Sequence, residues 1–498
     1  MEVTKIFGPP GAGKTTHLLN VVEQELALGT SSQNIGYFSF TRKASEEARE
    51  RAIQKFPTLN EKSDFPFFRT LHSLAFSAVG ARRDDLMQPH HYRKFAQQVG
   101  ITLTVTQTEE GVSKAESPIL NEINLARLRD TDLREHYNNS GLEIEWFHME
   151  YVERSYRKFK EDHALLDFTD LLIRSVLNPS NLPSLEVLII DEAQDLSRLQ
   201  WELVEQLAKK AQRVHIAGDD DQAVFGWAGS DVKSFLNFKG SVKILDQSYR
   251  VPRVVHSLAN GVITKLKDRQ AKQWKARDVE GAIVEYSSFE HVPVDSGKWL
   301  ILAATNYMLE PIQTWLEEKG LLYSKQGRLS VQKNLVEAVY AWERLRAGKD
   351  VLGALVAHAY RYLGPDAVQE GYKSFKQGDP TAMYSMRDLQ TSYGLLTSDV
   401  WMDAMPKIGL HRQVYLSAML RRGTRFNVSP DIEVSTIHGA KGGEADNVML
   451  LMDLSPRFMA DYVRDDADMR RLLYVGLTRT KQTLHVVLPK STEKSFPL

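Results

Sequence analysis

Two short segments carry residue types and spacings suited to phosphate chemistry. Gly8-Pro9-Pro10-Gly11-Ala12-Gly13-Lys14-Thr15 has the G-x4-G-K-[ST] spacing of a P-loop. The N–H groups of a glycine-rich turn can surround phosphate oxygens, and the helix that follows adds the positive end of its dipole. In such a loop Lys14 reaches the β- and γ-phosphates and Thr15 holds Mg²⁺. Asp191-Glu192-Ala193-Gln194-Asp195 follows the apolar run Val187–Ile190. A carboxylate at the carboxyl end of a strand can face a nucleotide across the sheet top. Asp191 then completes the Mg²⁺ shell, and Glu192 orients and deprotonates a water. An acidic loop or a glycine turn alone is common; together they point to nucleoside triphosphate hydrolysis.

Gly218-Asp219-Asp220-Asp221-Gln222 follows a second apolar strand. Gln222 there can sense a γ-phosphate. Phe225 and Trp227 lie just beyond it. Exposed, they would stack nucleobases at about 1–3 kcal/mol per base; the alternative is that Trp227 is a core residue. Arg250, in Asp246-Gln247-Ser248-Tyr249-Arg250, and Arg479, in Tyr474–Arg479, can supply planar guanidinium charge to a γ-phosphate, or be ordinary surface ion pairs. From Arg250 to Arg277 stand eight Lys/Arg and one acidic residue, Asp268. The stretch reads as a phosphate-tracking surface or a solvated helix face.

These groups need strands to carry them. Val3–Phe7, 35–40, Val187–Ile190 and Val214–Ala217 read as one nucleotide-binding sheet, with helices from Lys14 and over 44–55. Val242–Leu245, Trp299–Ala303, 434–436, 448–452 and Leu484–Val487 read as a second α/β set. Two mainly helical stretches, about 78–163 and 347–428, fit neither sheet and read as insertions. The first includes a turn-rich segment near 106–117. The chain has 498 residues, room for about three or four domains or two large ones with insertions. Apolar residues are 42% and charged residues 26%, which excludes a mainly disordered chain. Lys plus Arg is 63 against 64 Asp plus Glu, so a wholly basic nucleic-acid coat is excluded but a local basic channel is not. With no cysteine, disulfides, catalytic thiols and Cys-ligated metals are ruled out. No apolar run nears the roughly 18 residues of a membrane span, and the N-terminus lacks signal-peptide character. A soluble, cytoplasmic protein is expected, with no accessory domain after the last strand.

The ordered motifs resemble superfamily 1A DNA helicases of the UvrD/Rep/PcrA type. The P-loop is similar to motif I, Ser39–Ala44 to motif Ia and Thr70–Ser73 to motif Ib. Leu166–Leu171 resembles the segment before motif II, DEAQD motif II, and GDDDQAVFGWAG motif III. DQSYR resembles motif IV, Val434–Glu444 motif V and Leu473–Arg479 motif VI. Leu71 and Gly443 depart from the family pattern. So does the start of motif I at Gly8, which leaves no room for a glutamine-bearing Q motif.

The resemblance implies two RecA-like P-loop NTPase core domains with mainly helical insertions and ATP between the cores. Core 1A would comprise 1–77 and 164–241 around insertion 1B at 78–163. Core 2A would comprise 242–346 and 429–498 around a reduced 2B-like insertion at 347–428. Gly8 to Thr16 would cradle ATP, Tyr249 stack on adenine, Glu444 contact the ribose, and Arg250 and Arg479 the γ-phosphate. Phe40, Thr41, Arg42, His72, Phe225, Trp227, Thr436 and His438 would contact single-stranded DNA. The implied activity is ATP- and Mg²⁺-dependent 3′→5′ translocation and unwinding, in a bacterial or phage-type setting. Single-stranded DNA, ss/ds junctions and single-strand-binding or replication/repair proteins would be the partners. The alternatives are a DNA-stimulated ATPase that displaces proteins or needs a partner, and a 5′→3′ superfamily 1B helicase, against which motif III argues.

Overall fold

The structure is a computed structural model that describes residues 2–39, 42–57, 64–107, 113–424, 429–456, 459, 466–491, 495 and 496. The chain forms two units, 1–279 with 465–474, and 280–464 with 475–498.

The strands of the first unit are β1 (Glu2–Phe7), β2 (Ile35–Ser39), β3 (Phe68–Thr70), β4 (Thr104–Gln107), β5 (Ser113–Glu116), β6 (Val187–Ile190), β7 (Arg213–Gly218) and β8 (Ser241–Ile244). Six of them form a parallel sheet in the order β3-β2-β6-β7-β1-β8. Phe7 pairs with Gly218 and Ile190 with Ile216, so β1, β7 and β6 end nearly level. Helices cover both faces, which is why β6 reads as an unbroken apolar run. Val187 and Ile189 enter one core with Ile6, Leu18 and Val22. Leu188 and Ile190 enter the other with Phe7, Trp201 and Phe235. The insertion between β3 and β6 has its own core around Phe95, Ile123, Met149 and Tyr156. Within it β4 and β5 form an antiparallel pair where the sequence suggested only turns.

Among the described residues the main sheet of the second unit has seven strands: β9 (Ala282–Tyr286), β10 (Trp299–Ala303), β11 (Tyr323–Lys325), β12 (Arg328–Leu329), β15 (Ile432–Thr436), β16 (Ala445–Leu451) and β17 (Thr480–Val487). Their order is β12-β11-β15-β10-β16-β17-β9, parallel except for the β11–β12 hairpin. Two short strands, β13 (Val351–Leu352) and β14 (Met383–Tyr384), pair within the helical insertion.

Two expected boundaries move. The strand expected at Val242–Leu245 in the second core is β8, at the edge of the first sheet. Its partner is β1, the Ser241 hydroxyl donates to the Val3 carbonyl at 3.1 Å, and Leu245 packs on the core of Ile6 and Leu18. The helical insertion begins near Val331 rather than at 347. The helix Lys333–Arg346 places Leu335, Val339 and Trp342 in the same core as Val356, Leu389 and Leu416.

Candidate active site

The P-loop leaves β1 at Phe7 and ends in the helix Lys14–Ala27. Gly11 and Gly13 both have φ +73°, a left-handed backbone that favours glycine. A Cβ on Gly11 would collide with the Cβ of Arg250 and come within 3.2 Å of the Ser248 hydroxyl. The motif IV segment closes over the loop through one main-chain and one side-chain hydrogen bond to the loop's carbonyls. Tyr249 N–H donates to the Gly11 carbonyl at 2.9 Å, and Ser248 Oγ to the Pro10 carbonyl at 2.6 Å. The Tyr249 ring is 70% exposed beside this loop, as a base-stacking platform requires. Lys14 Nζ donates to the Gly8 carbonyl at 3.1 Å.

Asp191 emerges from β6 and is buried. Its Oδ2 accepts from Thr15 Oγ1 at 3.2 Å and from the Tyr37 hydroxyl at 2.6 Å. Burial, then the neighbouring Glu192 charge, raises its pKa to about 6. A hydroxyl and a carboxylate are the hard oxygen donors Mg²⁺ takes, and a cation there offsets the burial of the charge. The residues therefore fit Mg²⁺. Glu192 has φ +51°, a conformation that costs a non-glycine residue about 1 kcal/mol or more. Gln194 steadies it, with Nε2 donating to Glu192 Oε2 at 2.6 Å while Oε1 accepts from Asp219 N–H at 2.9 Å.

The turn after β7 is buried throughout. Gln222 Nε2 donates to Asp219 Oδ2 at 2.7 Å. Lys272 Nζ lies 2.7 Å from Asp219 Oδ1 and 3.0 Å from Asp221 Oδ2, and also pairs with Asp220. Arg269 grips Asp221 with two hydrogen bonds of 2.7 and 2.5 Å. Four of the eight basic residues along 250–277 have a carboxylate partner within the protein. Arg269 and Lys272 are internal counter-ions of the acidic turn, Arg253 pairs with Asp278, and Lys275 lies 3.3 Å from Asp246.

In the second unit Arg479 follows the helix Asp466–Leu477 and is 1% exposed. Its Nε donates to the Val475 carbonyl at 2.9 Å and Nη1 to the Gly443 carbonyl at 3.3 Å, which ties motif VI to motif V. Glu444 is half-exposed and pairs with Lys481 at 3.2 Å. Thr436 Oγ1 accepts from Gly439 N–H at 3.1 Å, shaping the turn that presents His438.

A parallel sheet with a P-loop, an acidic strand end and a glutamine turn fits many nucleoside triphosphatases; family comparison decides among them. The model of the UvrD/REP helicase N-terminal domain matches residues 2–243, and that of the UvrD-like helicase C-terminal domain matches 431–487. The chain belongs to the UvrD/Rep helicase family. It is 27% identical to DNA helicase II of Haemophilus influenzae over 342 residues, 64% of this chain and 45% of that protein. It is 27% identical to the ATP-dependent DNA helicase PcrA of Bacillus subtilis over 297 residues, 55% of this chain and 39% of that one. It thus spans less than half the length of these curated relatives.

The remaining UvrD-type motifs lie on the first unit. Trp227 is 65% exposed, which removes the core reading. It stands on a pinned turn: Arg129 Nη2 donates to the Gly226 carbonyl at 2.9 Å, and Gly229 has φ +94°. Phe225 meets Trp227 edge-on, with centroids 6.3 Å apart. His72 stacks on Phe168 at 4.7 Å and lines a cavity of about 560 Å³ with Arg49, Arg69 and Arg83. Phe40 and Thr41 lie outside the described residues, as does the side chain of Arg42. Sequence reading did not single out Tyr37, Ser248, Arg269 or Lys272 as site residues. Only Ser248 stood inside a motif; the others act across 48 to 154 residues of chain.

Proposed function

We propose that this chain is an ATP-hydrolysing DNA translocase and helicase that moves 3′→5′ on single-stranded DNA and separates duplex strands. The observation that carries this reading is the gathering of Lys14, Thr15, Asp191, Glu192 and Gln222 at the carboxyl ends of three adjacent parallel strands. Gly8 to Thr16 bind the phosphates, with Lys14 at the β/γ position, Tyr249 under the adenine and Glu444 at the ribose. Glu192 orients the attacking water and takes its proton, and Gln222 reports the γ-phosphate. Arg250 and Arg479 neutralise charge on the transferred group. Mg²⁺, held by Thr15 and Asp191, would neutralise phosphate charge when bound.

Trp227 and Phe225 supply stacking surfaces for bases, and Thr436 and His438, with the motif Ia residues Phe40, Thr41 and Arg42 and with His72, line the strand. Nucleotide state would shift the population between grips on DNA, giving net stepping. Single-stranded DNA and ss/ds junctions are the proposed substrates, with single-strand-binding or replication/repair proteins as partners and the bacterial or phage-infected cytoplasm as the setting. No described helix is long and apolar enough to cross a membrane.

The test is ATP-dependent strand displacement on matched partial duplexes with a 3′ or a 5′ tail, with Lys14→Ala and Glu192→Gln as controls. Unwinding from the 3′ tail alone, lost in both variants, is expected. Unwinding from the 5′ tail alone would overturn the polarity. DNA-stimulated ATPase without unwinding would instead favour a translocase that needs a partner.

A further inference from the structure

Asp219, Asp220 and Asp221 bring carboxylate oxygens close enough to hold a cation. The cation among them is Lys272, whose side chain has no exposed surface. Asp219 divides its contacts. Oδ1 takes the Lys272 ammonium at 2.7 Å, and Oδ2 takes the Gln222 amide at 2.7 Å. Its backbone N–H meets Gln194, which in turn holds Glu192. The segment that carries Lys272 is fixed as well: Gln270 N–H donates to Asp220 Oδ2 at 2.7 Å, and Arg471 Nη2 donates to the Asp268 carbonyl at 3.3 Å.

Three adjacent buried carboxylates repel one another; Arg269 offsets Asp221, and loss of the Lys272 charge drives one of the three to take a proton or the turn to open. Either change alters the acceptor that Gln222 uses. We infer that Lys272 is a positioning residue for ATP hydrolysis: by anchoring Asp219 it fixes the Gln222 amide and, through Gln194, the Glu192 carboxylate. The inference rests on the proposed ATPase reading. It assigns Lys272 a part in turnover rather than in nucleotide binding, because its ammonium pairs with Asp219, Asp220 and Asp221 of the turn that carries Gln222.

The test is a double-mutant cycle between Lys272→Met and Gln222→Ala. Lys272→Met should lower kcat for DNA-stimulated ATP hydrolysis about tenfold or more while Kd for a fluorescent non-hydrolysable ATP analogue stays within about threefold. The double variant should be no slower than the slower single variant, within about twofold, because both break one linkage. A loss equal to the product of the two single losses would overturn the inference, as would a fall in nucleotide affinity that matches the fall in kcat. If Lys272→Met does not fold, Asp219→Asn takes its place in the same cycle with the same two outcomes. Absence of ATP hydrolysis by the unaltered chain would remove the proposed function and this inference together. Hydrolysis with an additive cycle would remove the inference alone.

Discussion

The Tyr37 hydroxyl donates to Asp191 Oδ2 across 2.6 Å, on the same oxygen that accepts from Thr15. Tyr37 comes from β2 and Asp191 from the end of β6, so one strand orients the carboxylate that its neighbour presents. The bond favours the ionised form of Asp191, against burial and the Glu192 charge. Tyr37→Phe should therefore move the acid limb of the ATPase pH profile to higher pH. An acid limb that stays in place would show that Asp191 is not the group titrating there.

Asp191 also makes the site a cost to the fold. An unfolded aspartate titrates near 3.9. The folded protein holds this proton up to about pH 6, so it binds more protons than the unfolded chain in that interval. Stability then falls as pH rises from about 4 to about 6. In metal-free buffer at pH 7.5, Asp191→Asn should stabilise the protein by about 1–3 kcal/mol, with the gain fading below pH 4. ATP turnover should be lost in the same variant. Urea unfolding at both pH values checks this, and a destabilised variant at pH 7.5 would contradict it.

Gly11 tests the phosphate cradle. Its φ of +73° and its contact with Arg250 leave no place for a methyl group. Gly11→Ala should cost about 1–3 kcal/mol of stability and weaken nucleotide binding. A calorimetric titration with a non-hydrolysable analogue that gives the unaltered Kd would mean that the loop is not the phosphate site.

Trp227 is exposed on a turn held by other residues, so Trp227→Ala should change stability by no more than about 0.5 kcal/mol. It should weaken single-stranded DNA binding by about 1–3 kcal/mol and reduce DNA-stimulated more than basal ATPase. Equal loss of both activities would assign the ring a structural role.

His72 is predicted to matter for acid stability. Burial lowers its pKa to about 4. An unfolded histidine titrates near 6.5, so the stability that His72 permits is complete above that pH and is lost as pH falls toward 4. His72→Phe keeps a ring against Phe168 and removes the proton site. Between pH 7 and pH 4.5 the variant should gain about 2–3 kcal/mol relative to the original protein. Parallel stability curves would show that the imidazole is not held neutral.

The strands that carry chemistry were legible because each is a short, mostly apolar run ending in a distinctive loop. Val187–Ile190 before Asp191 and Val214–Ala217 before Asp219 are the clearest. β3, with only Phe68, Arg69 and Thr70, offers no period to read. β8 misled because its place follows chain order, whereas its partner β1 is the first strand of the chain. Part of the basic stretch was illegible for a related reason. Arg269 and Lys272 neutralise Asp221 and Asp219, 48 and 53 residues upstream, and a charge count along the chain cannot show that pairing. The helical insertion was placed too late because Lys333–Arg346 has the same amphipathic period as a helix flanking a sheet.

Tyr249 is fastened to the phosphate loop by its main chain, through an N–H that any residue but proline would offer, while its ring lies open. With Tyr249 under the base as proposed, recognition of the base and recognition of the phosphates would be uncoupled at this one position. On that proposal an altered ring would retune which nucleobase is preferred, while the main-chain bond to Gly11 and the cradle beneath it stay as they are.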